Sequence, residues 1–138
     1  MSKILILSAG KENQKDIEEE LLKLKVKFIL PISIPTEYND MYCIQLLNIP
    51  LSYHCRNIYE IINGNIEKKD FDNFISALKT ILIFTSKKIH LCLQWDGDNT
   101  EEINDIYEQK VINLFSFEFP EDEFEFEFNV DYVFVYEE

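Results

Sequence analysis

The chain has 138 residues, of which 46% are hydrophobic and 14% aromatic, and its formal net charge at pH 7 is -13. This size and composition fit one domain, residues 1–138, with a core large enough to fold without disulfides or a metal. The apolar runs are too short to cross a bilayer, and the acidic balance opposes binding to nucleic acid or to anionic membranes.

The first half of the chain predicts a strand, a helix and a hairpin. Residues 3–8 are predicted to form a buried strand that ends before Gly10. The charged segment after it has apolar residues at helical spacing, which are Ile17, Leu21, Leu22 and Leu24. The apolar residues 25–34 and 41–49 flank a polar stretch, so we expect them to pair as two antiparallel strands.

Two further helices and a strand are predicted in the middle of the chain. The first helix is capped by Ser52 and ends at Gly64. The second is capped by Asp70, and its apolar residues recur at spacings of three and four, as Phe71, Phe74, Ile75, Leu78 and Leu82. The strand over residues 89–95 alternates in polarity, as expected of a strand that is partly covered on both sides.

The last third begins with a turn and a short acidic helix. The turn over residues 96–98 ends the preceding strand. Asn99 or Thr100 can cap a helix that extends to Tyr107. Acidic side chains in the first turn of that helix are favourable, because they lie at the positive end of the helix dipole.

Two strands are predicted to close the chain as an antiparallel hairpin. They cover residues 114–119 and 124–136, and a short loop joins them. One face of this hairpin is a ladder of phenylalanines, and on the other face Glu118 lies opposite Glu125, which favours a solvent-exposed acidic stripe. The predicted fold is therefore mixed α/β (α+β), a single domain with a mixed sheet, about three to four helices and this C-terminal antiparallel hairpin.

The N-terminal sequence and the cysteines indicate the compartment. The apolar run at residues 4–7 is shorter than the core of a signal peptide. Cys43, Cys55 and Cys92 are an odd number of cysteines, and they form no C-x-x-C pair. We expect a cytoplasmic protein with reduced, mostly buried thiols.

Few patterns in the chain suggest catalysis or metal binding. Asp96-Gly97-Asp98 is similar to the D-x-D motif of metal-dependent glycosyltransferases, but a solvated turn gives the same three residues. A structural zinc site usually takes its ligands from two closely spaced pairs of residues, and the residues of zinc-binding type in this chain do not form two such pairs. They are Cys43, His54, Cys55, His90 and Cys92. The sequence leaves open a catalytic pair in which Cys55 is the nucleophile and His90 is its base, but no other pattern supports this pair. We therefore predict no catalytic residue, no metal site and no cofactor.

All of the excess negative charge is in the last third of the chain. Residues 1–95 carry 11 acidic and 12 basic side chains, whereas residues 96–138 carry 15 acidic side chains and the single base Lys110. Improved solubility is one explanation for this concentration of negative charge. Capture of a basic protein is another, favoured because the charge is segregated and interleaved with aromatic residues. The predicted partner-binding residues are Asp96, Asp98, Glu101, Glu102, Asp105, Glu118, Glu121, Asp122, Glu123, Glu125, Glu127 and Asp131.

In size, acidity and lack of a catalytic motif, the chain resembles the immunity proteins of bacterial toxin systems, including contact-dependent growth inhibition. The resemblance is one of general character over the whole chain, so it assigns no individual residue. It implies an inhibitor rather than an enzyme, with a cognate basic toxin domain such as a nuclease as its partner. Two alternatives are an anti-restriction protein that mimics nucleic acid, which the near-neutral residues 1–95 oppose, and a small metal-dependent transferase using Asp96 and Asp98.

Overall fold

Six strands form one mixed sheet in the computed structural model, which describes residues 2–31, 33–48, 52–54, 67–85, 88–96 and 106–138. The strands of these residues are β1 (Ser2–Ala9), β2 (Phe28–Ile29), β3 (Tyr42–Leu46), β4 (Ser52–His54), β5 (Ile89–Asp96), β6 (Glu108–Asn113), β7 (Glu123–Glu125) and β8 (Val130–Val135). The order across the large sheet is β2-β3-β1-β5-β8-β6, and β4 and β7 form a second, two-stranded sheet. Neighbouring strands are antiparallel, except that β6 and β8 are parallel.

Two α-helices, α1 (Gln14–Lys23) and α2 (Lys68–Thr85), pack against one face of the large sheet and form the main core with it. Apolar residues at helical spacing turn toward the sheet, and they include Ile17, Leu21, Phe71, Phe74, Leu78 and Leu82. Burial of one such side chain contributes about 1.5–3 kcal/mol to folding. Neither α-helix of the described residues combines the length and the apolarity that a membrane crossing requires.

A Schellman-type cap ends α1 and redirects the chain toward β2. The backbone N–H of Lys25 donates to the carbonyl of Leu22 at 3.0 Å, and that of Val26 donates to the carbonyl of Leu21 at 2.9 Å. Lys25 has a φ of 58°, in the left-handed region that this cap requires. The cap therefore satisfies two carbonyls that the end of the helix leaves open.

The opposite face of the large sheet carries a smaller cluster with more polar groups. Ile6, Cys43 and Cys92 point to this side, and Tyr38 packs on them from the short 3-10 turn Thr36–Tyr38. Buried polar side chains lie on the same side of the sheet, and they include Ser8, Gln94 and Asp131. The two faces of the sheet are therefore covered by different means, helices on one and a connecting segment on the other.

Most predictions for the first half of the chain and for the central strand are confirmed. The fold class is α+β with a mixed sheet. The predicted first strand is β1, the predicted first helix is α1, and the predicted early hairpin is β2 paired with β3, where Phe28 lies opposite Leu46. The amphipathic helix is α2, which begins at Lys68, two residues before its predicted cap Asp70. The alternating strand is β5.

The number of helices differs from the prediction. The described residues contain two α-helices, where about three to four were predicted. Ser52, the predicted cap of another helix, lies in β4, and its Cα is opposite that of Glu125. The rest of that predicted helix, residues 55–64, and residues 99–105 of the predicted short acidic helix lie outside the described residues.

The predicted C-terminal hairpin is wrong. Residues 114–120 form no strand, β7 pairs with β4, and β8 lies between β5 and β6. Phe119 and Phe124 contact each other, with ring centroids 4.9 Å apart, but both also pack on Phe71 of α2, and they do so without a hairpin. The structure thereby also avoids the unfavourable pairing of Glu118 with Glu125.

Candidate functional site

Residues 118–127, which we call the acidic segment, carry most of the exposed carboxylates of the described part of the last third in one short stretch between β6 and β8; the others are Glu108, Glu137 and Glu138. Six of these ten residues are acidic and all six are exposed, namely Glu118, Glu121, Asp122, Glu123, Glu125 and Glu127. From residue 123 to residue 128, glutamates alternate with phenylalanines, so that successive side chains point to opposite sides. The phenylalanines point inward and the glutamates point to solvent.

An aromatic cluster holds the acidic segment against α2. The ring centroid of Phe71 lies 5.1 Å from that of Phe119, 4.9 Å from that of Phe124 and 6.1 Å from that of Phe126. Tyr53 of β4 lies 5.0 Å from Phe71, and its hydroxyl donates a hydrogen bond to the carbonyl of Pro120. Aromatic pairs of this kind contribute about 0.5–1.5 kcal/mol beyond the area that they bury. The backbone that presents the carboxylates is therefore anchored.

Two asparagines fix the ends of the region around the acidic segment. The side-chain oxygen of Asn113 accepts hydrogen bonds from the N–H of Phe115 at 3.1 Å and of Glu137 at 3.0 Å. Asn129 has a φ of 61°, a left-handed conformation that asparagine tolerates better than most residues. The N–H of Asn129 donates to the carbonyl of Leu93 at 2.9 Å, which ties the end of the segment to β5.

Exposed aromatic side chains lie next to these carboxylates. Phe115 is 50% exposed and Phe117 is 44% exposed. Phe117 makes an edge contact with Phe119 at 4.9 Å, and Phe115 makes one with Tyr136 at 5.5 Å. Aromatic residues that are held by neighbours but reach solvent lose little conformational entropy on binding, and such residues supply much of the affinity of protein interfaces.

A groove of about 560 Å³ separates the acidic segment from β6. Its lining is mostly apolar with two carboxylates, and consists of Lys110, Val111, Ile112, Phe117, Phe124, Glu125, Glu127 and Tyr132. The ammonium of Lys110 donates to a carboxylate oxygen of Glu127, and this hydrogen bond raises the pKa of Lys110. The groove therefore combines an apolar wall with carboxylates that already accommodate one cation.

Asp131, one of the predicted partner-binding residues, is buried and does not belong to an exposed acidic stripe. It is 4% exposed, and its carboxylate accepts hydrogen bonds from the Tyr38 hydroxyl at 2.6 Å and from Gln109 Nε2 at 3.0 Å. Nδ1 of His90 lies 3.0 Å from the same carboxylate. We call these four residues the buried polar cluster, after Asp131 and Tyr38, which are buried, whereas His90 is half-buried and Gln109 is exposed. Asp131 points away from solvent because it occupies an inner strand of the sheet, with β5 and β6 on either side.

The electrostatics of the buried polar cluster favour a structural role. Burial opposes the ionisation of Asp131 most strongly, but the hydrogen bonds from His90, Tyr38 and Gln109 outweigh it and lower the pKa of the carboxyl. Burial raises the pKa of the Tyr38 hydroxyl and raises that of the neighbouring Cys92 thiol to about 12. At neutral pH, Tyr38 and Cys92 are therefore uncharged and neither is an activated nucleophile.

The remaining predicted site residues lie at the end of β5 or outside the described residues. Asp96 is the last residue of β5, and its Cα is opposite that of Ser2 in β1. Asp98, Glu101, Glu102 and Asp105 lie outside the described residues, as does Cys55. In the part of the chain that the structure describes, no group of three or more His, Cys, Asp and Glu side chains is placed to hold a metal ion. The structure thus brings Glu118, Glu121, Asp122, Glu123, Glu125 and Glu127 together on one segment.

Sequence reasoning missed the groove and the burial of Asp131. The run from Val130 to Val135 is apolar at five of its six positions, a pattern typical of a strand covered on both faces. That pattern could have placed Asp131 inside the molecule. The groove depends on the parallel pairing of β6 with β8, for which the local sequence contains no signal.

Comparison with known proteins gives no further assignment, because no family model matches the sequence and no similar curated protein or solved structure was found.

Proposed function

We propose that the protein is an immunity protein that binds and neutralises a cognate basic toxin domain, such as a nuclease, through the acidic segment. The observation that carries this proposal is the set of six exposed carboxylates on an anchored stretch of ten residues, beside the exposed Phe115 and Phe117. Lys110 is the single base between residues 96 and 138. Lys68 of α2 also interacts with Glu121, but the six carboxylates outnumber these two bases, so the local field around the segment attracts cations.

A nuclease supplies the complementary surface, since its cleft must be cationic to bind phosphate. Complementary charge raises association rate constants to about 10⁸–10⁹ M⁻¹s⁻¹ at low salt. Phe115 and Phe117 add apolar contact area that charge alone does not provide. Because the aromatic cluster anchors the segment, little ordering entropy is lost on binding.

The charge of the other described surfaces argues against mimicry of nucleic acid. On α1, Lys23 pairs with Glu20 at 2.9 Å, and on α2, Lys68 pairs with Asp72 at 2.9 Å. Charges of both signs are therefore mixed on the two helices. A mimic of a phosphate backbone instead needs a continuous series of negative charges.

The proposal is tested by capture and neutralisation. The purified protein is used as bait at low salt in extract of its native cells, bound proteins are identified by mass spectrometry, and the capture is repeated at high salt. We expect one dominant stoichiometric partner with a basic domain that arrests growth when expressed alone and is inactivated by an equimolar amount of this protein. A dominant partner that is harmless when expressed alone, or the lack of a specific partner, would contradict the proposal.

A further inference from the structure

The outer edge of β6 is open in the large sheet. Among the described residues, β6 is the last strand on its side and pairs with β8 alone. The N–H of Leu114 donates to the carbonyl of Val135 at 2.8 Å, continuing the ladder between the two strands. In a strand the N–H and C=O groups of alternate residues point to opposite edges. The backbone N–H and C=O groups of Lys110 and Ile112 therefore point to β8, and those of Gln109 and Val111 point to the open edge.

The edge of β6 lacks several of the features that normally protect an edge strand, although the strand carries the charged residues Glu108 and Lys110. It is six residues long and contains no proline, whereas β2 at the other end of the sheet has two residues. Val111 is 65% exposed and the neighbouring Tyr107 is 72% exposed. An exposed edge of this length with apolar side chains is a template for pairing with another chain.

The groove lies beside this open edge, and its lining residues indicate which kind of side chain can occupy it. Val111 and Ile112 of β6 line it together with Glu125 and Glu127 of the acidic segment. A strand laid along β6 directs alternate side chains into the groove and the others to the opposite face of the sheet. Lys110 already places an ammonium against Glu127, so a basic side chain is compatible with this environment.

We propose that an extended basic segment of the partner adds to the outer edge of β6 as a seventh strand of the large sheet. Its backbone pairs with the N–H and C=O groups of Gln109 and Val111, and its lysine or arginine side chains enter the groove beside Glu125 and Glu127. Main-chain pairing supplies affinity, and the groove selects the side chains. This inference rests on the proposed function, since it names how the acidic segment and its partner meet.

A second copy of this chain does not fit the same edge. Pairing of β6 with its own copy would bring two acidic segments close to each other, and each chain has a net charge of -13. Like charges in juxtaposition oppose association. The occupant is therefore a basic chain of another protein.

The test uses synthetic peptides of eight residues that alternate lysine and valine. Three forms are compared: the unmodified peptide, a form N-methylated at the lysines, and a form N-methylated at the valines. The methylated forms have the same charge and the same side chains, but each lacks hydrogen-bond donors along one edge only. A peptide that alternates glutamate and valine serves as the charge control. Affinity is measured by NMR titration of the labelled protein, and hydrogen exchange of Gln109 and Val111 is measured in the same samples.

We expect the unmodified lysine peptide to bind and to slow amide exchange at Gln109 and Val111. One of the two methylated forms should bind at least about tenfold more weakly than the other, because only one edge of the added strand pairs with β6. Equal binding of both methylated forms, binding without protection of these two amides, or no binding of the unmodified peptide would overturn strand addition.

A protein variant gives an independent measurement. Val111→Pro removes an N–H that points to the open edge and leaves the ladder with β8 intact, as proline at an edge strand allows. Val111→Thr is the matched control that keeps the N–H. We expect the first variant to lose peptide binding and the second to keep it; retained binding by a folded Val111→Pro protein would overturn the inference, and if that variant does not fold, the methylated peptides decide.

The glutamate peptide separates this inference from the proposed function. If the glutamate peptide binds as tightly as the lysine peptide and protects the same amides, strand addition stands and the electrostatic basis of the proposed function fails. If only the lysine peptide binds and N-methylation has no effect on either edge, electrostatic capture stands and strand addition fails.

Discussion

The acidic segment and the buried polar cluster put the same functional group to opposite uses. The carboxylate of Asp131 accepts hydrogen bonds from Tyr38 and Gln109 and contacts His90 within the sheet, so its charge is compensated inside the fold. The six carboxylates of the acidic segment are exposed, and their mutual repulsion opposes folding. Location, rather than residue type, therefore separates a carboxylate that is enclosed by hydrogen-bond donors inside the fold from carboxylates that face solvent.

The largest expected effect is on stability, from Asp131→Asn. The neutral side chain has nearly the same shape, but it directs an amide donor into a site surrounded by donors and gives up two charge-assisted hydrogen bonds. We expect the free energy of unfolding to fall by about 3 kcal/mol, since hydrogen bonds to charged groups contribute about 1.5–3 kcal/mol each. Urea denaturation at pH 7 measures the change.

The matched control for this variant is Glu121→Gln in the acidic segment, where the side chain is exposed. The free energy of unfolding should change by less than about 0.5 kcal/mol. Equal losses of stability in the two variants would remove the distinction between the two regions.

The next effect is on binding, from replacing Glu121, Asp122, Glu123 and Glu125 by lysine. We expect association with the captured partner to slow at least about tenfold at low salt, and its salt dependence to flatten, because steering depends on the local field. Stopped-flow measurements at several salt concentrations test this. Each of these exposed substitutions should change the free energy of unfolding by no more than about 0.5 kcal/mol.

A control with the same change in net charge tests whether the effect is local. Exposed acidic residues far along the chain from the segment are replaced by lysine, namely Asp16, Glu19, Glu37 and Asp40. We expect the association rate constant to change by less than about threefold in this control. Similar slowing in both variants would attribute the rate to overall charge and would place the interface elsewhere.

Local periodicity predicted the elements that are held by their own amphipathic pattern. The spacing of Phe71, Phe74, Leu78 and Leu82 predicted α2, and the apolar run at the start of the chain predicted β1. These patterns are readable because one face of a helix, or one covered strand, is encoded by neighbouring residues.

The pairing of the C-terminal strands was not predictable in the same way. Phenylalanines alternate with glutamates from Glu123 to Phe128, and this pattern correctly indicated one apolar and one acidic side. It could not specify that the apolar side packs on Phe71, or that β8 pairs with β5 and β6. Those contacts join residues far apart in the chain, so alternation fixes the face of a side chain but not its partner strand.

A smaller effect concerns the pH dependence of stability, and it comes from Asp131. The folded-state pKa of Asp131 is lowered from 3.8, so its contribution to stability is fully present above the pKa of the unfolded chain and is lost as the pH falls through the folded pKa. We expect the stability difference between the wild type and Asp131→Asn to be constant from about pH 7 to 5 and to shrink below about pH 4.

Denaturation of both proteins across this range measures the difference, and repeating it in a His90→Gln background tests whether the difference depends on the contact between His90 and the carboxylate. A difference that persists unchanged to pH 3 would contradict the assigned role of the Asp131 carboxylate.

The smallest effect comes from Tyr38→Phe, which removes one donor from Asp131 and leaves the carboxylate with Gln109 and His90. We expect a loss of about 1.5 kcal/mol in the free energy of unfolding, the lower end of the range for one hydrogen bond to a charged group, because the remaining partners stay in place. The pKa of the Asp131 carboxyl should rise, because the Tyr38 hydroxyl is one of the donors that lower it. NMR titration of the carboxyl carbon measures that rise, and Tyr42→Phe is the control, since the Tyr42 hydroxyl donates to Glu18 on α1 instead. If the Asp131 pKa rose by the same amount in both variants, the Tyr38 hydroxyl would not act through its hydrogen bond to Asp131. The buried polar cluster would then be stabilised by packing around the ring of Tyr38.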